Sequence, residues 1–344
     1  MKHMYNIENE IIKKKYEQSL ELDEKLSSKS IYSKIKDIRK FEEFIGFKDL
    51  TNLNKDQALK FKEHLKKKVN ASENGLQYAT VWRVLDNIKS FFFWLGNEKQ
   101  YKKKINLNEL NAFNLSMKEE SMAKVRGFKN IPTLEQLYKT VSLMPNNLEI
   151  EKRDKAIFAL TVATGIRVSA LISLKLCHID EYKGLVKQDP RTMDTKFSKP
   201  ILTQFFPVKE EVQQIVIEWV KFLKEEKSFG QSDPLFPAIQ NEFDDVNQIF
   251  KAENLSKKHI KSTTTVRDIF KQAFGNAKIE YYNPHSFRDT LVQLGEKICK
   301  NPEEFKAWSQ NLGHSSPLTT FTSYGAVHSS RQCDIIQNLA RGNI

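Results

Sequence analysis

From Ile31 onward apolar residues recur at three- and four-residue steps, a rhythm that predicts a run of helices. Tyr32, Ile35, Ile38, Phe41 and Ile45 form a first stripe. Asn54 stands where it can cap a second helix, whose Ala58, Phe61 and Leu65 share one face. Val81, Val84, Leu85, Ile88, Phe92 and Leu95 form a third stripe that closes at Gly96, a suitable residue just past a helix end. Before Ile31 the rhythm is weak, so residues 1–30 read as an N-terminal extension, either helical or a loose arm. Between about Ser116 and Asn130 the periodicity lapses into charged and small residues, which reads as a linker.

A second patterned region follows. Thr133-Leu-Glu-Gln136 has the form of a capping box and opens a helix running to about Met144. A further helix spans about Arg153 to Ala163, Gly165 breaks it, and a short one carries Val168, Leu171 and Ile172. Between Tyr182 and Val208 the text changes. Gly184, Pro190 and Pro200 punctuate it, and Ile201, Thr203 and Phe205 alternate, which predicts a short antiparallel sheet with Lys196-Phe-Ser-Lys199 near a turn. Helices resume at Lys209–Lys224 and around Thr265–Phe274, Phe287–Ile298 and Pro302–Asn311. The fold class is therefore mainly α with a small antiparallel β-sheet. The expected divisions are an extension (1–30), a helical domain (31–115), a linker (116–131) and a larger domain (132–344).

Charge narrows the partners. The 344-residue chain carries a net charge of +12, and 40% of it is hydrophobic, enough for packed cores. Such a surplus points to a polyanion, either nucleic acid or an anionic membrane surface. The polar faces of the first domain supply much of it: Lys60, Lys62, Lys66, Lys67, Arg83 and Lys89 are candidate contacts to nucleic-acid phosphates, with Lys199 in the second domain. No apolar run reaches the roughly 20 residues that span a bilayer, and the N-terminus lacks a signal-peptide core. The three cysteines, Cys177, Cys299 and Cys333, have no metal-like spacing and read as reduced thiols of a cytoplasmic protein.

The most informative chemistry lies near the C-terminus. Asn311-Leu-Gly-His-Ser-Ser-Pro-Leu-Thr-Thr-Phe-Thr-Ser-Tyr324 sets an imidazole, His314, ten positions before a phenol, Tyr324. Upstream stand Gly165-Ile-Arg167 and His285-Ser-Phe-Arg288. His285 and Arg288 follow Asn283-Pro284, which favours a helix start, and their i, i+3 spacing sets them one above the other. A helix N-terminus there adds free N–H groups that favour phosphate. A phenol with a pKa of about 10 is a poor nucleophile at neutral pH and needs an electrophile already polarised by fixed cations. Taken singly, each of these residues has an ordinary structural use, as a cap, a core histidine or an aromatic anchor. Their order and contexts together form a set suited to attack on a phosphodiester.

The stretches Ala163-Thr-Gly-Ile-Arg-Val-Ser-Ala-Leu171, His285-Ser-Phe-Arg288 and Leu312-Gly-His-Ser-Ser-Pro-Leu-Thr-Thr320 with Tyr324 resemble the tyrosine recombinase (phage integrase) family of site-specific DNA recombinases. The resemblance covers roughly residues 132–330, and the helical region at 31–95 is similar in pattern to that family's SAM-like core-binding domain. It implies that Arg167 and Arg288 clamp the scissile phosphate, that His285 assists proton transfer at the nucleophile, and that His314 donates to the phosphate. Tyr324 would then attack in line and form a 3′-phosphotyrosyl link. It also implies a hairpin lysine as general acid, either Lys196 or Lys199, with Lys196 the better match. Two positions depart from the family's habit: Ala170, where an acidic residue is frequent, and Asp289, where histidine is frequent.

The resemblance further implies double-stranded DNA with a specific recombination site as partner, two domains on opposite sides of the duplex, and four protomers on two sites. An accessory directionality protein is a possible partner; no cofactor, metal or membrane is expected. A C-terminal amphipathic segment with Ile335, Ile336 and Leu339 either docks on a neighbouring protomer or packs on its own domain. The expected location is the cytoplasm, at the nucleoid. Two alternatives stay open: a type IB topoisomerase-like enzyme that relaxes DNA, and a non-cleaving DNA-binding protein on the same fold.

Overall fold

The computed structural model describes residues 5–69, 75–124, 130–193, 199–244, 249–314 and 337. The chain separates into two units, Met1–Gly127 and Phe128–Ile344, each with its own apolar core.

Unit 1 contains helices α1 (Ile7–Leu22), α2 (Ser28–Phe44), α3 (Lys55–Val69), α4 (Tyr78–Asn97) and α5 (Met117–Lys124), with 3₁₀ turns at Leu50–Asn52 and Leu107–Phe113. The sequence leaves residues 1–30 open between helix and arm, and the structure makes most of them α1. Asn6 caps that helix by accepting from the Glu8 and Asn9 amides, and Ile12, Tyr16 and Leu20 are buried. The weak rhythm has a physical cause: two polar residues, Asn9 and Lys13, lie on the buried face. Asn9 donates to Glu42 Oε1 at 2.9 Å and to the Lys48 carbonyl at 2.9 Å, and accepts from the Leu50 amide at 3.0 Å. Lys13 is paired with Glu42, so the buried charges compensate one another.

The centre of this unit is a set of phenylalanine rings. Phe41 meets Phe61 edge-on at 5.1 Å and Phe92 at 5.5 Å, while Phe92 stacks on Phe113 at 6.1 Å. Asn54 and Gln57 exchange side-chain to backbone bonds at the start of α3, as its capping role requires. Two expectations need correction. Tyr32, in the first stripe, is 66% exposed. Gly96 does not end α4 but lies inside it, where an added Cβ would come within 2.6 Å of the Leu107 side-chain tip and 3.2 Å of Ile105; it serves close packing and not a left-handed cap. The stretch read as linker carries α5, which buries none of its residues and is tied to α3 by the Lys66–Glu119 ion pair at 2.8 Å.

Unit 2 runs α6 (Leu134–Leu143), α7 (Glu149–Thr164), α8 (Val168–Leu171), β1 (Ile179–Asp180), β2 (Leu185–Gln188), β3 (Ile201–Gln204), α9 (Glu210–Lys221), β4 (Pro237–Asp244), β5 (Ile249–His259), α10 (Thr263–Asn276), α11 (Ser286–Ile298) and α12 (Pro302–Asn311). The Thr133–Gln136 capping box opens α6 as read from the sequence. Helix α7 is the central element: Ala156 to Thr164 are all buried, and Phe158 packs against Phe270 of α10 at 4.8 Å and Phe287 of α11 at 5.1 Å. Its Thr161 and Thr164 hydroxyls donate back to the carbonyls of Ile157 and Leu160, which lets two polar side chains sit in the core.

Strands β1, β2 and β3 form an antiparallel sheet in that order, with Val186 opposite Ile179 and Thr203. A second antiparallel pair, β4 and β5, was not anticipated. Register shifts between Pro237 and Ile239 and between Gln240 and Glu242 interrupt its pairing, which obscures the two-residue alternation by which a strand is read. Among the described residues no helix is long and apolar enough to cross a membrane.

Candidate active site

The first motif lies where α7 ends. Gly165 adopts φ +60 and its amide closes on the Thr161 carbonyl at 2.8 Å, the left-handed stop that a helix reversal needs. Arg167 is then the N-cap residue of α8 and is half-buried. The glycine is also required by space, because a Cβ would approach Leu291 to 3.0 Å and both Arg288 and Leu312 to 3.2 Å. The first motif therefore touches the other two. Ala170 is buried in the core of the unit, so a carboxylate in its place would have to be desolvated.

The second motif opens α11. Asn283 Oδ1 accepts from the His285 amide at 3.0 Å, and the carbonyl of Asn283 accepts from the Ser286 hydroxyl at 2.7 Å, which fixes the turn after Pro284. His285 is the N-cap residue and is exposed, whereas Arg288 is only 2% exposed. The spacing holds, but burial separates the two side chains: Arg288 falls on the face that also carries Phe287, Leu291 and Val292. Asp289 is buried as well.

Arg288 joins the three segments. Its Nη1 donates to the Gly165 carbonyl at 2.7 Å, and its Nη2 donates to the Leu312 carbonyl at 2.5 Å and lies 2.9 Å from His314 Nε2. Because a guanidinium can only donate, His314 Nε2 is the acceptor in that contact, and the proton of the neutral ring belongs to Nδ1. A buried arginine is costly unless its donors are met, and here main-chain carbonyls from two motifs take up one bond each from Nη1 and Nη2.

The third motif follows α12. Gly313 adopts φ +72 and closes on Gln310 at 2.7 Å, and His314, half-buried, closes on Ser309 at 3.2 Å. This turn runs beside the small sheet. Thr203 Oγ1 donates to the Asn311 carbonyl at 3.0 Å, the Asn311 side chain bonds both main-chain groups of Gln204, and Gly313 abuts Ile201. Going from Asn311 to Gly313, the chain passes β3 from Gln204 back to Ile201, toward the end of the strand that Lys199 precedes. The sequence reading missed Asn311 and Gln204; an asparagine at the last position of a helix was the only local signal.

Arg288 and His314 thus meet at the Gly165–Leu312 junction, Arg167 stands two residues after Gly165, and His285 is on the exposed rim of α11. Lys199 is exposed. Lys196 and Tyr324 lie outside the described residues, as do the helix start read at Ser315–Pro317 and the C-terminal segment at Ile335, Ile336 and Leu339.

The candidate DNA contacts of unit 1 differ in character. Lys60 is paired with Asp56 at 2.7 Å, and Lys66 is held by both Glu63 and Glu119. The Lys66 ammonium holds the Glu119 carboxyl down at about 2, and the two carboxylates in turn raise the lysine. Arg83 binds Asp37, a buried carboxylate that also accepts from Asn87 at 2.8 Å and Lys40 at 2.8 Å, which makes Arg83 part of the packing of α2 on α4. Lys62 and Lys89 converge on Asn114, at 2.9 and 2.8 Å, and Lys67 is exposed at the end of α3.

Among solved structures, this fold is similar to a lambda integrase dimer bound to a core site, with a TM-score of 0.61 at 14% identity over 92% of this chain and 94% of that one. A lambda integrase tetramer bound to a Holliday junction gives the same TM-score and identity over 92% of this chain and 77% of that chain. The fold is thus that of the integrase-type recombinases. In sequence, the chain is 20% identical to the tyrosine recombinase XerC of Rickettsia canadensis over 308 residues, 89% of each protein. The sequence description of the phage integrase family matches residues 132–331, and this chain belongs to that family, the tyrosine recombinases.

Proposed function

We propose that this protein breaks and rejoins DNA at a specific site through a covalent link between Tyr324 and a 3′-phosphate. One observation carries the reading: the buried Arg288 guanidinium bridges Gly165, Leu312 and His314, so three segments far apart in sequence converge on one cationic point. In the proposed reaction Arg167 and Arg288 face the non-bridging oxygens of the scissile phosphate. Fixed donors at such a position contribute about 3–4 kcal/mol each to the transition state, by analogy with oxyanion holes. The Tyr324 oxygen bonds to phosphorus while its proton passes to His285. The bond from phosphorus to the 5′-oxygen breaks, and that oxygen takes a proton from the hairpin lysine, Lys196 or Lys199. His314 offers its Nδ1–H to the phosphate while Nε2 stays with Arg288. The phosphotyrosyl ester keeps the energy of the broken bond, so the reverse step rejoins DNA without ATP, and the scheme uses no metal.

Double-stranded DNA is the proposed partner. The net charge of +12 and the lysines of α3 and α4 support backbone contact, as does the DNA-bound state of the lambda integrase relatives. By the same likeness, four copies would act on two sites.

The test is covalent capture. The chain is incubated with fragmented host DNA, adducts are isolated under denaturing conditions, and the attached DNA is sequenced. One recurrent sequence is the expected result. On a nicked duplex of that sequence, Tyr324→Phe should bind with little change and form no adduct, and Arg167→Ala should bind but cleave at least about 100-fold more slowly. An adduct from the Phe variant would remove Tyr324 as the nucleophile.

A further inference from the structure

The Asn311 side chain is bonded like a piece of a neighbouring strand. Its Oδ1 accepts from the Gln204 amide at 2.7 Å, and its Nδ2 donates to the Gln204 carbonyl at 2.8 Å. A carboxamide has the same donor and acceptor pair as a peptide group, so it satisfies the outer edge of β3 as a fourth strand would. The backbone of Asn311 accepts from the Thr203 hydroxyl at 3.0 Å, which adds a third bond over two adjacent residues of β3. Two positions later, Gly313 brings its backbone against Ile201, with Ile201 Cδ1 only 2.8 Å from where a Cβ would stand. The chain from Asn311 to Gly313 is therefore registered along the whole of β3. One end of that register is the residue before Leu312, whose carbonyl Arg288 binds. The other end is Ile201, two residues after Lys199.

From this we infer that Asn311 is a positioning residue for proton transfer to the leaving group. It sets β3, and with it Lys199 two residues before that strand begins, in register with the segment that carries Leu312 and His314, and Lys199 is then the proton donor. This rests on the reading of the site proposed above and adds a residue whose side chain is bonded to β3. The ladder with β2 fixes the inner edge of β3, and no other described side chain bonds both main-chain groups of a β3 residue on its outer edge, so the register of β3 against the Leu312–His314 segment rests on this amide. Leucine would fill the volume and leave the Gln204 amide and carbonyl without these bonds. Aspartate would keep the bond to the amide and set an oxygen against the Gln204 carbonyl.

Leaving-group chemistry separates positioning from mere support. When the 5′-oxygen leaves, it must take a proton. If sulfur replaces it, the phosphorus–sulfur bond breaks to a thiolate, whose conjugate acid has a pKa of about 8.5, and no proton is needed. Two nicked duplexes of the captured sequence are made, one with the 5′-bridging oxygen and one with sulfur, and adduct formation is timed for the full-length chain. Asn311→Leu should be slowed roughly ten- to hundredfold on the oxygen duplex, the cost of a misplaced catalytic group, and should match the wild type on the sulfur duplex. Asn311→Asp should show the same pattern. Equal slowing on both duplexes would mean that Asn311 only supports the fold, and an unchanged rate on the oxygen duplex would remove any role; either outcome overturns the inference. If the wild-type chain forms no adduct on either duplex, the reading of the site fails, and the inference falls with it.

Discussion

Arg288 illustrates how much a single residue can decide. Its two carbonyl bonds are made inside the core and the His314 contact at its edge, so substitution should cost stability as well as reaction. Arg288→Lys keeps the charge but cannot span the Gly165 and Leu312 carbonyls together, because an ammonium lacks the planar fork. We expect it to lower the stability of residues 128–344 by roughly 2–4 kcal/mol, since buried carbonyls lose their partners, and a denaturant titration would show it. Arg167→Ala, at a half-buried cap position, should change the same titration by less than about 1 kcal/mol while still blocking adduct formation. Equal destabilisation by the two would mean that Arg288 has no special structural part. The types and order of these residues were legible in the sequence. Their division into one buried and one half-exposed arginine was not, because burial of Arg288 depends on carbonyls 123 and 24 positions away.

Elements with an apolar stripe were legible too, since α2, α3, α4, α9 and α11 each turn one face to a core. Those held by polar contacts were not. Helix α1 hides Asn9 and Lys13, β4 and β5 pair with register shifts, and α5 buries nothing. The attachment of α5 to α3 then follows the charge of Glu119. The Lys66 ammonium lowers this carboxyl from its ordinary 4.5 to about 2, so the folded state binds its proton more weakly than the unfolded state. The stabilisation is complete above the unfolded value and is lost as pH falls from about 4.5 to 2. Amide exchange in α5 should therefore accelerate over that window relative to α4, after correction for the intrinsic pH dependence of exchange. Lys66→Met should remove the dependence. If α5 exchanges identically at pH 5 and pH 3 in the wild type, the ion pair does not hold it.

At the scale of the molecule, the charge surplus was plain from composition, while its usable part was not. Lys60, Lys66 and Arg83 are committed to carboxylates, whereas among the described residues Lys62 and Lys89 hydrogen-bond only to the neutral Asn114. We expect DNA affinity, measured by fluorescence anisotropy on the captured duplex, to fall by roughly 10³-fold between 50 and 200 mM salt, as for about six neutralised phosphates. Removing both Lys62 and Lys89 should flatten the log–log slope by about two, whereas removing Lys60 and Lys66 should flatten it less. A salt-independent affinity would exclude backbone contact as the source of binding.

The polar knot beneath α1 also bears on how the chain is made. Asn9 bonds to Glu42, Lys48 and Leu50, which are 33, 39 and 41 positions later. At a synthesis rate of about 5–20 residues per second, these partners emerge roughly two to eight seconds after it. Through that interval the first helix must stay wetted on the face that will later be sealed. A lysine and an asparagine there keep the nascent segment hydrated until its acceptors leave the ribosome.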